Sequence, residues 1–214
     1  MSSTFMRRSA WILLVIVFLG TLIAYPSLPP VMATHFGMNG QVNGMSNSLV
    51  GAFVLPFIML LMLLLFTAIP RIDPLRVNIK QFRPQYDTFV ALLMLFFAVI
   101  QAMIIARNLG HIFDPNYVVL PAVGILIFYV GVIMPQTKRN WFIGIRTPWT
   151  ISSDHVWQKT HELGGTLFKI LGVIIALGVF APTYALPLIF IPLVIVALGL
   201  VFYSYFIYAQ DSKA

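Results

Sequence analysis

The sequence contains no cysteine, which rules out disulfides and thiolate metal sites. Charge is almost as scarce. Of 214 residues, 9% are charged and 60% are hydrophobic, whereas a soluble domain carries roughly 25% charged residues. A chain with so little polar surface does not fit an ordinary soluble enzyme, and composition points to an integral membrane protein. The charge-free stretches are long: Ser9 to Pro70, Thr88 to Ala106, Pro115 to Thr137 and Ile170 to Gln210.

A bilayer core is roughly 30 Å thick and a crossing helix needs about 20 apolar residues. The first and last stretches each hold two such helices and the middle ones hold one each. Six spans are predicted, near 11–29, 49–69, 88–107, 117–135, 163–181 and 187–208. The runs are apolar on every face, which does not suit barrel strands, so the fold class is an all-α membrane protein. The first span follows Arg7 and Arg8 but is longer than a signal core, and no cleavage pattern follows Pro26; it is expected to remain as a helix.

Alternation across the membrane sorts the 13 basic residues unevenly. One side receives Arg7, Arg8, Arg71, Arg76, Lys80, Arg83, Lys138, Arg139, Arg146, Lys159, Lys169 and Lys213, and the other receives only Arg107. The positive-inside rule places the first side, with both termini, in the cytoplasm. The net charge of +7 then reads as topology and contact with anionic membrane lipids, not as direct nucleic-acid binding. Trp11, Trp141, Trp149 and Trp157 fall on that same side, with Tyr203, Tyr205 and Tyr208, as interfacial anchors.

Two connections stand out. The outer segment from Tyr25 to Gly44 contains Pro26, Pro29 and Pro30, which end the first helix. Gly37, Gly40 and Gly44, with Asn39 and Asn43, are expected to supply left-handed turn positions. The result is a compact, uncharged loop presenting amides, the His35 imidazole and the Phe36 ring. Two readings stay open: a surface that binds a peptide by hydrogen bonds and stacking, or a structured turn with His35 on a backbone carbonyl.

The inner loop, 137–162, is denser. Ser152 or Ser153 is an N-cap with Asp154 in the first turn. A helix from there puts Trp157, His161 and Gly164 on one face. Gly144 reads as a bend that folds Trp141 and Phe142 back toward the bilayer. Arg146 and Trp149 are close enough for a cation–π contact of about 0.5–2 kcal/mol. The whole reads as a rigid, aromatic-rich interfacial cap.

Tests for chemistry find little. His161-Glu162 lacks the second histidine of a zinc-protease helix, and His155 and His161 fall on different helix faces. No ionisable residue sits at the centre of a span, and Arg107 and Lys169 are placed to snorkel. Gln101 is expected to bond a neighbouring helix, and Pro187 and Pro192 to bend the last span. No catalytic residue, metal site or cofactor is predicted.

The run Asn140-Trp141-Phe142-Ile143-Gly144-Ile145-Arg146-Thr147-Pro148-Trp149, with Ser152, Trp157, Thr160 and His161 beyond it, resembles the signature of the SdpI/YfhL family. Tyr25-Pro26, Pro29, His35-Phe36 and Gly40-Gln41-Val42 resemble the small uncharacterised domain that often precedes it. The resemblance implies a two-helix unit over 1–70 with outer loop 30–48, and a four-helix unit over 71–214 with inner loop 137–162. It implies a bacterial cell-membrane immunity protein that protects against a secreted toxin peptide and signals by holding a cytoplasmic repressor. On that reading Tyr25, Pro26, Pro29, His35, Phe36 and Gly40 contact the peptide. Asn140, Trp141, Phe142, Gly144, Arg146, Thr147, Pro148, Trp149, Ser152, Trp157, Thr160 and His161 then form the inner docking face, with Gly164 and Gly165 as the place where spans shift. A small membrane transporter or permease is the alternative.

Overall fold

The computed structural model describes residues 3–37 and 40–211, with the backbone alone at Ala185 and Leu186; the expected turn residue Asn39 and the basic Lys213 lie outside them. The described elements are α1 (Ser3–Ala24), β1 (Val31–Phe36), β2 (Val42–Asn47), α2 (Ser48–Ile72), α3 (Arg76–Gln81), α4 (Arg83–Asn108), α5 (Asn116–Ile133), α6 (Pro148–Ser152), α7 (Asp154–Leu177) and α8 (Ala185–Asp211). Six of them, α1, α2, α4, α5, α7 and α8, are long and apolar enough to cross a membrane. They match the six expected spans. Several run on past the apolar stretch, because their polar ends are tied to other elements. Ser3 donates from its hydroxyl to the Asp87 carboxylate, and His155 pairs with Asp211 at 2.8 Å.

The chain ends of α1 and α8 share one end of the bundle with α3 and the 137–153 loop. We refer to this as the loop end, and to the opposite one as the hairpin end. In space α4 lies against α1 and α2, α5 against α7, and α7 against α8. Helix α4, which follows residue 70, packs both with the helices before it and with α5 after it.

Helix α2 carries two internal prolines, Pro56 and Pro70. A proline lacks the N–H that would bond the carbonyl four residues earlier, so Ala52 and Phe66 lose their helical donors. In hydrocarbon such a carbonyl needs another partner. Both partners come from α4: Gln101 Nε2 donates to the Ala52 carbonyl at 2.8 Å, and Tyr86 Oη donates to the Phe66 carbonyl at 2.6 Å. Gln101 also reaches Thr21 Oγ1 on α1 at 3.1 Å, so the expected bond to a neighbouring helix is made twice over. Gln101→Leu is expected to cost about 1 kcal/mol, in the range of buried polar contacts between membrane helices. In the Pro56→Ala background the cost should shrink, because the substituted residue regains an N–H that reaches the Ala52 carbonyl. A double-mutant cycle of unfolding in mixed micelles checks this, and full additivity would sink the assignment.

Helices α5 and α7 meet through glycine. A Cβ on Gly172 would lie 2.5 Å from Phe128 N and 2.6 Å from Gly124 O, and one on Gly131 would lie 2.5 Å from Lys169 N and 2.7 Å from Gly165 O. These are backbone atoms, so the helices touch main chain to main chain. The seven-residue spacings Gly124–Gly131 and Gly165–Gly172 repeat the contact two turns apart. Gly164 and Gly165, expected to give room for a shift, instead accommodate close neighbours: Met134 Sδ at 2.5 Å and Pro135 Cγ at 2.5 Å from the added Cβ. Pro192 lies inside α8, as expected, while Pro187 falls in its first turn.

The segment from Tyr25 to Gly44 is not a simple loop. Its strands form an antiparallel hairpin in which Val31, Met32 and Ala33 face Asn47, Ser46 and Met45, with irregular register near His35. Alternation explains it: Met32 is fully buried against Gly51 of α2, while Val31 and Met45 are exposed. Gly40 alone of the expected turn residues described here has a left-handed backbone, at φ +72°. Asn43 and Gly44 lie in β2 instead, and Gly44 is required because a Cβ there would sit 2.8 Å from His35 Cβ.

Candidate functional site

The loop end is built around two buried polar side chains. Asn140 is completely buried and uses its whole amide. Its Nδ2 donates to the Lys138 and Ile143 carbonyls, both at 2.9 Å, and its Oδ1 accepts from Phe142 N and Ile143 N at 2.9 and 2.7 Å. This folds residues 138–143 into a tight bend, which Asp73 anchors to α2. Asp73 is buried, and its carboxylate accepts from Leu75 N at 2.6 Å and Trp141 N at 2.9 Å. Asn78 on α3 adds a bond to the Arg139 carbonyl at 2.7 Å.

His161 is the second. It is fully buried and stacks on Trp157 with ring centroids 4.1 Å apart. Its Nδ1 faces the Trp157 carbonyl at 2.7 Å and its Nε2 faces Ile145 N–H at 2.9 Å. A carbonyl only accepts and an amide N–H only donates, so the ring is neutral with its proton on Nδ1. Gly144, at φ +115°, brings the chain over this ring, and a Cβ there would lie 2.4 Å from Nε2. The expected bend is present and has two causes, the positive φ and the imidazole beneath it. Trp157 Nε1 donates to the Thr137 carbonyl at 3.1 Å, completing the seat.

Beyond Gly144, Thr147 caps α6 in a reciprocal pair with Thr150, with Pro148 in the first turn. Thr150 Oγ1 also donates to the Ile145 carbonyl at 2.8 Å, and Thr147 Oγ1 lies 3.0 Å from Ser204 Oγ on α8. Ser153 caps α7 through Val156 N, as expected, and Trp157, His161 and Gly164 share its buried face. Arg139 clamps the turn, donating to the Ile151 carbonyl at 2.9 Å and pairing with Asp154 at 2.9 Å.

The predicted residues therefore separate. Asn140, Thr147, Trp157, Thr160 and His161 are buried, and Gly144 is fixed by the ring below it. Trp141, Phe142, Arg146, Pro148 and Ser152 are exposed, and an open concavity of about 550 Å³ is lined by Trp141, Gly144, Arg146, Thr147, Pro148, Ile151 and Ser152. The expected Arg146–Trp149 cation–π contact is not formed. The cap at Thr147 carries Trp149 onto Tyr205, edge-on at 5.2 Å, while Arg146 turns back to the Trp141 carbonyl at 2.6 Å.

At the hairpin end His35 and Phe36 come together with Thr34, Asn116 and the α4 residues Ile100, Met103 and Ile104 around a cavity of about 270 Å³. His35 bonds the Asn43 side chain, not a carbonyl of the backbone. Phe36 and Phe113 hold the Arg107 guanidinium between them, 6.0 and 5.8 Å from the ring centroids. Tyr25 is elsewhere, against Phe53 at 5.4 Å. Pro26 lies in the short 3-10 turn Tyr25–Ser27 and is exposed, Pro29 is half-buried, and Gly40 is buried near Asp114.

Residues 136–204 match the model of the SdpI/YfhL protein family, and residues 12–60 match a domain of unknown function, DUF1648. The chain thus carries an SdpI/YfhL segment beside a DUF1648 segment. Its SdpI/YfhL segment opens at the turn before Thr137 and closes at Ser204, so the Thr147–Ser204 contact joins the loop to the segment's last residue. The DUF1648 segment takes in most of α1, the hairpin and half of α2. A curated relative, the "Immunity protein SdpI" of Bacillus subtilis (strain 168), is 30% identical over 100 residues, 47% of this chain and 48% of the relative. The chain's match thus spans about half the length of that protein. No solved structure matches.

Sequence reasoning missed Asp73, Asn78, Thr137, Thr150 and Ser204 as parts of the loop-end scaffold. Asp73 had a signal, as the single acidic residue in the basic stretch from Arg71 to Arg83. The others are ordinary polar residues whose partners lie far along the chain.

Proposed function

We propose that this chain is a membrane immunity protein of the SdpI type, protecting a bacterium against a secreted antimicrobial peptide. The observation that carries the reading is the family segment over residues 136–204, beside 30% identity over 100 residues to a relative named an immunity protein. Charge supports its orientation: Arg107 is the basic residue at the hairpin end, and the loop end collects Arg7, Arg8, Arg71, Arg76, Lys80, Arg83, Lys138, Arg139, Arg146 and Lys159. By the positive-inside rule the loop end and both termini face the cytoplasm, and the hairpin meets the peptide outside. The exposed Arg146, Trp141 and Phe142, beside a basic rim, suit an acidic repressor surface, while buried Asn140 and His161 hold their shape.

Survival of a toxin-sensitive bacterium expressing the chain, challenged with a synthetic sporulation-delaying-type peptide, tests the function. Wild type is expected to protect. Arg146→Ala removes an exposed cation and is expected to leave the protein at normal membrane levels with protection intact but repressor capture reduced. Trp149→Ala breaks the contact with Tyr205 and is expected to lower both level and protection. No protection by wild type overturns the immunity reading.

A further inference from the structure

The hairpin's two edges differ. Ser48 N–H donates to the Pro30 carbonyl at 2.9 Å, and Val31, Met32 and Ala33 lie opposite Asn47, Ser46 and Met45. Alternation then turns the backbone groups of Met32 and Ser46 into the hairpin and those of Ala33 and Met45 away from it. On β1 the outward groups are covered. Asn108 Oδ1 accepts from Ala33 N at 2.8 Å, and Asn108 Nδ2 donates to the Ala33 carbonyl at 3.0 Å. Asn108 is held in turn by the Ile104 carbonyl at 2.8 Å, so one side-chain amide stands where a neighbouring strand would be.

Among the described residues nothing comparable covers Met45 on β2, and it is 67% exposed. Natural edges are protected by proline, charge or a covering element. Val42-Asn43-Gly44-Met45-Ser46-Asn47 has no proline and no charge, and the chain is charge-free from Ser9 to Pro70.

We infer that the open edge of β2 is a strand-addition site, at which an extended, uncharged segment of a peptide pairs with the N–H and carbonyl of Met45 as a third strand. The occupant is a backbone, because the site offers main-chain groups. It is uncharged, because a charged segment would lose hydration there without gaining a partner. This rests on the immunity reading, in which the hairpin end meets a secreted peptide.

The test uses the full chain in lipid nanodiscs with the synthetic sporulation-delaying-type peptide as probe. Amide exchange across residues 42–47 is measured with and without it, beside the binding of Met45→Pro and Met45→Ala. Proline at an outward-facing edge position removes one N–H while leaving the hairpin's own bonds; alanine keeps that N–H. Wild type and Met45→Ala are expected to bind alike, with slowed exchange in β2, and Met45→Pro to bind at least about tenfold more weakly. Peptide binding with unchanged β2 exchange, or unaltered binding by Met45→Pro, overturns the edge and leaves immunity standing. If Met45→Pro does not accumulate, the wild-type exchange decides. A wild type that neither protects nor binds overturns both. Slowed β2 exchange without peptide, with a dimer lost in Met45→Pro, would make a second copy the occupant and overturn the proposal.

Discussion

Gly172→Leu is expected to leave almost no folded protein in the membrane, and Gly172→Ala to fold with a clearly lowered midpoint of thermal unfolding in detergent. The alanine Cβ would lie 2.5 Å from Phe128 N and 2.6 Å from Gly124 O, and backbone atoms cannot swing aside as a flexible side chain does. The helices must separate by most of an ångström, and the neighbouring Gly131–Gly165 contact opens with them. Overpacking of this kind costs about 1–3 kcal/mol, partly offset by about 1 kcal/mol of helix propensity gained over glycine. At roughly 2–4 °C per kcal/mol for a chain of this size, the alanine variant should lose a few degrees. Gly20→Ala and Gly199→Ala are the controls, since a Cβ at either meets nothing within 4 Å. Both should match wild type or exceed it. A Gly172→Ala midpoint at or above that of Gly199→Ala would show that the α5–α7 contact is not close.

The second large effect is expected at Gly144 and His161 together. Gly144→Ala forces a side chain onto a φ of +115° and drives its Cβ to 2.4 Å from His161 Nε2; strained backbone alone costs about 1–3 kcal/mol. His161→Ala removes the acceptor for Ile145 N–H and the ring stacked on Trp157, for about 2–4 kcal/mol in lost packing and an orphaned donor. The double variant should cost less than the sum by about 1–2 kcal/mol, because without the ring the new methyl has room. What remains at Gly144 is the backbone strain. Strict additivity in unfolding measurements would show that the close approach of Gly144 to the ring is not made.

Much of the architecture was legible because hydrocarbon is an uncompromising solvent. The charge gaps located every span, and Ser153 with Asp154 marked the start of α7. Gln101 stood out as the polar residue in an apolar run. The hairpin was hidden because Val31–Phe36 and Val42–Asn47 are flanked by prolines and glycines that read as loop, while the alternation that makes them strands is only six residues long on each side. The Arg146–Trp149 contact was inferred from proximity in sequence, yet the Thr147 cap redirects the chain between them. The α5–α7 contact was missed for a different reason. Its glycines pair across two spans at a spacing of seven, and no search within one span reveals them.

The two prolines of α2 also bear on how the protein is made. Their freed carbonyls, at Ala52 and Phe66, are answered by Gln101 and Tyr86, and both donors belong to a helix synthesised later. Before α4 is made, α1 and α2 carry two open acceptors, which in hydrocarbon lack a partner. The arrival of α4 closes both at once, and only in the antiparallel register that sets Gln101 beside Ala52 and Tyr86 beside Phe66. The prolines, which would be flaws in a solitary helix, thus make the first three spans wait for one another, and the later spans are added to a unit whose alignment is already decided.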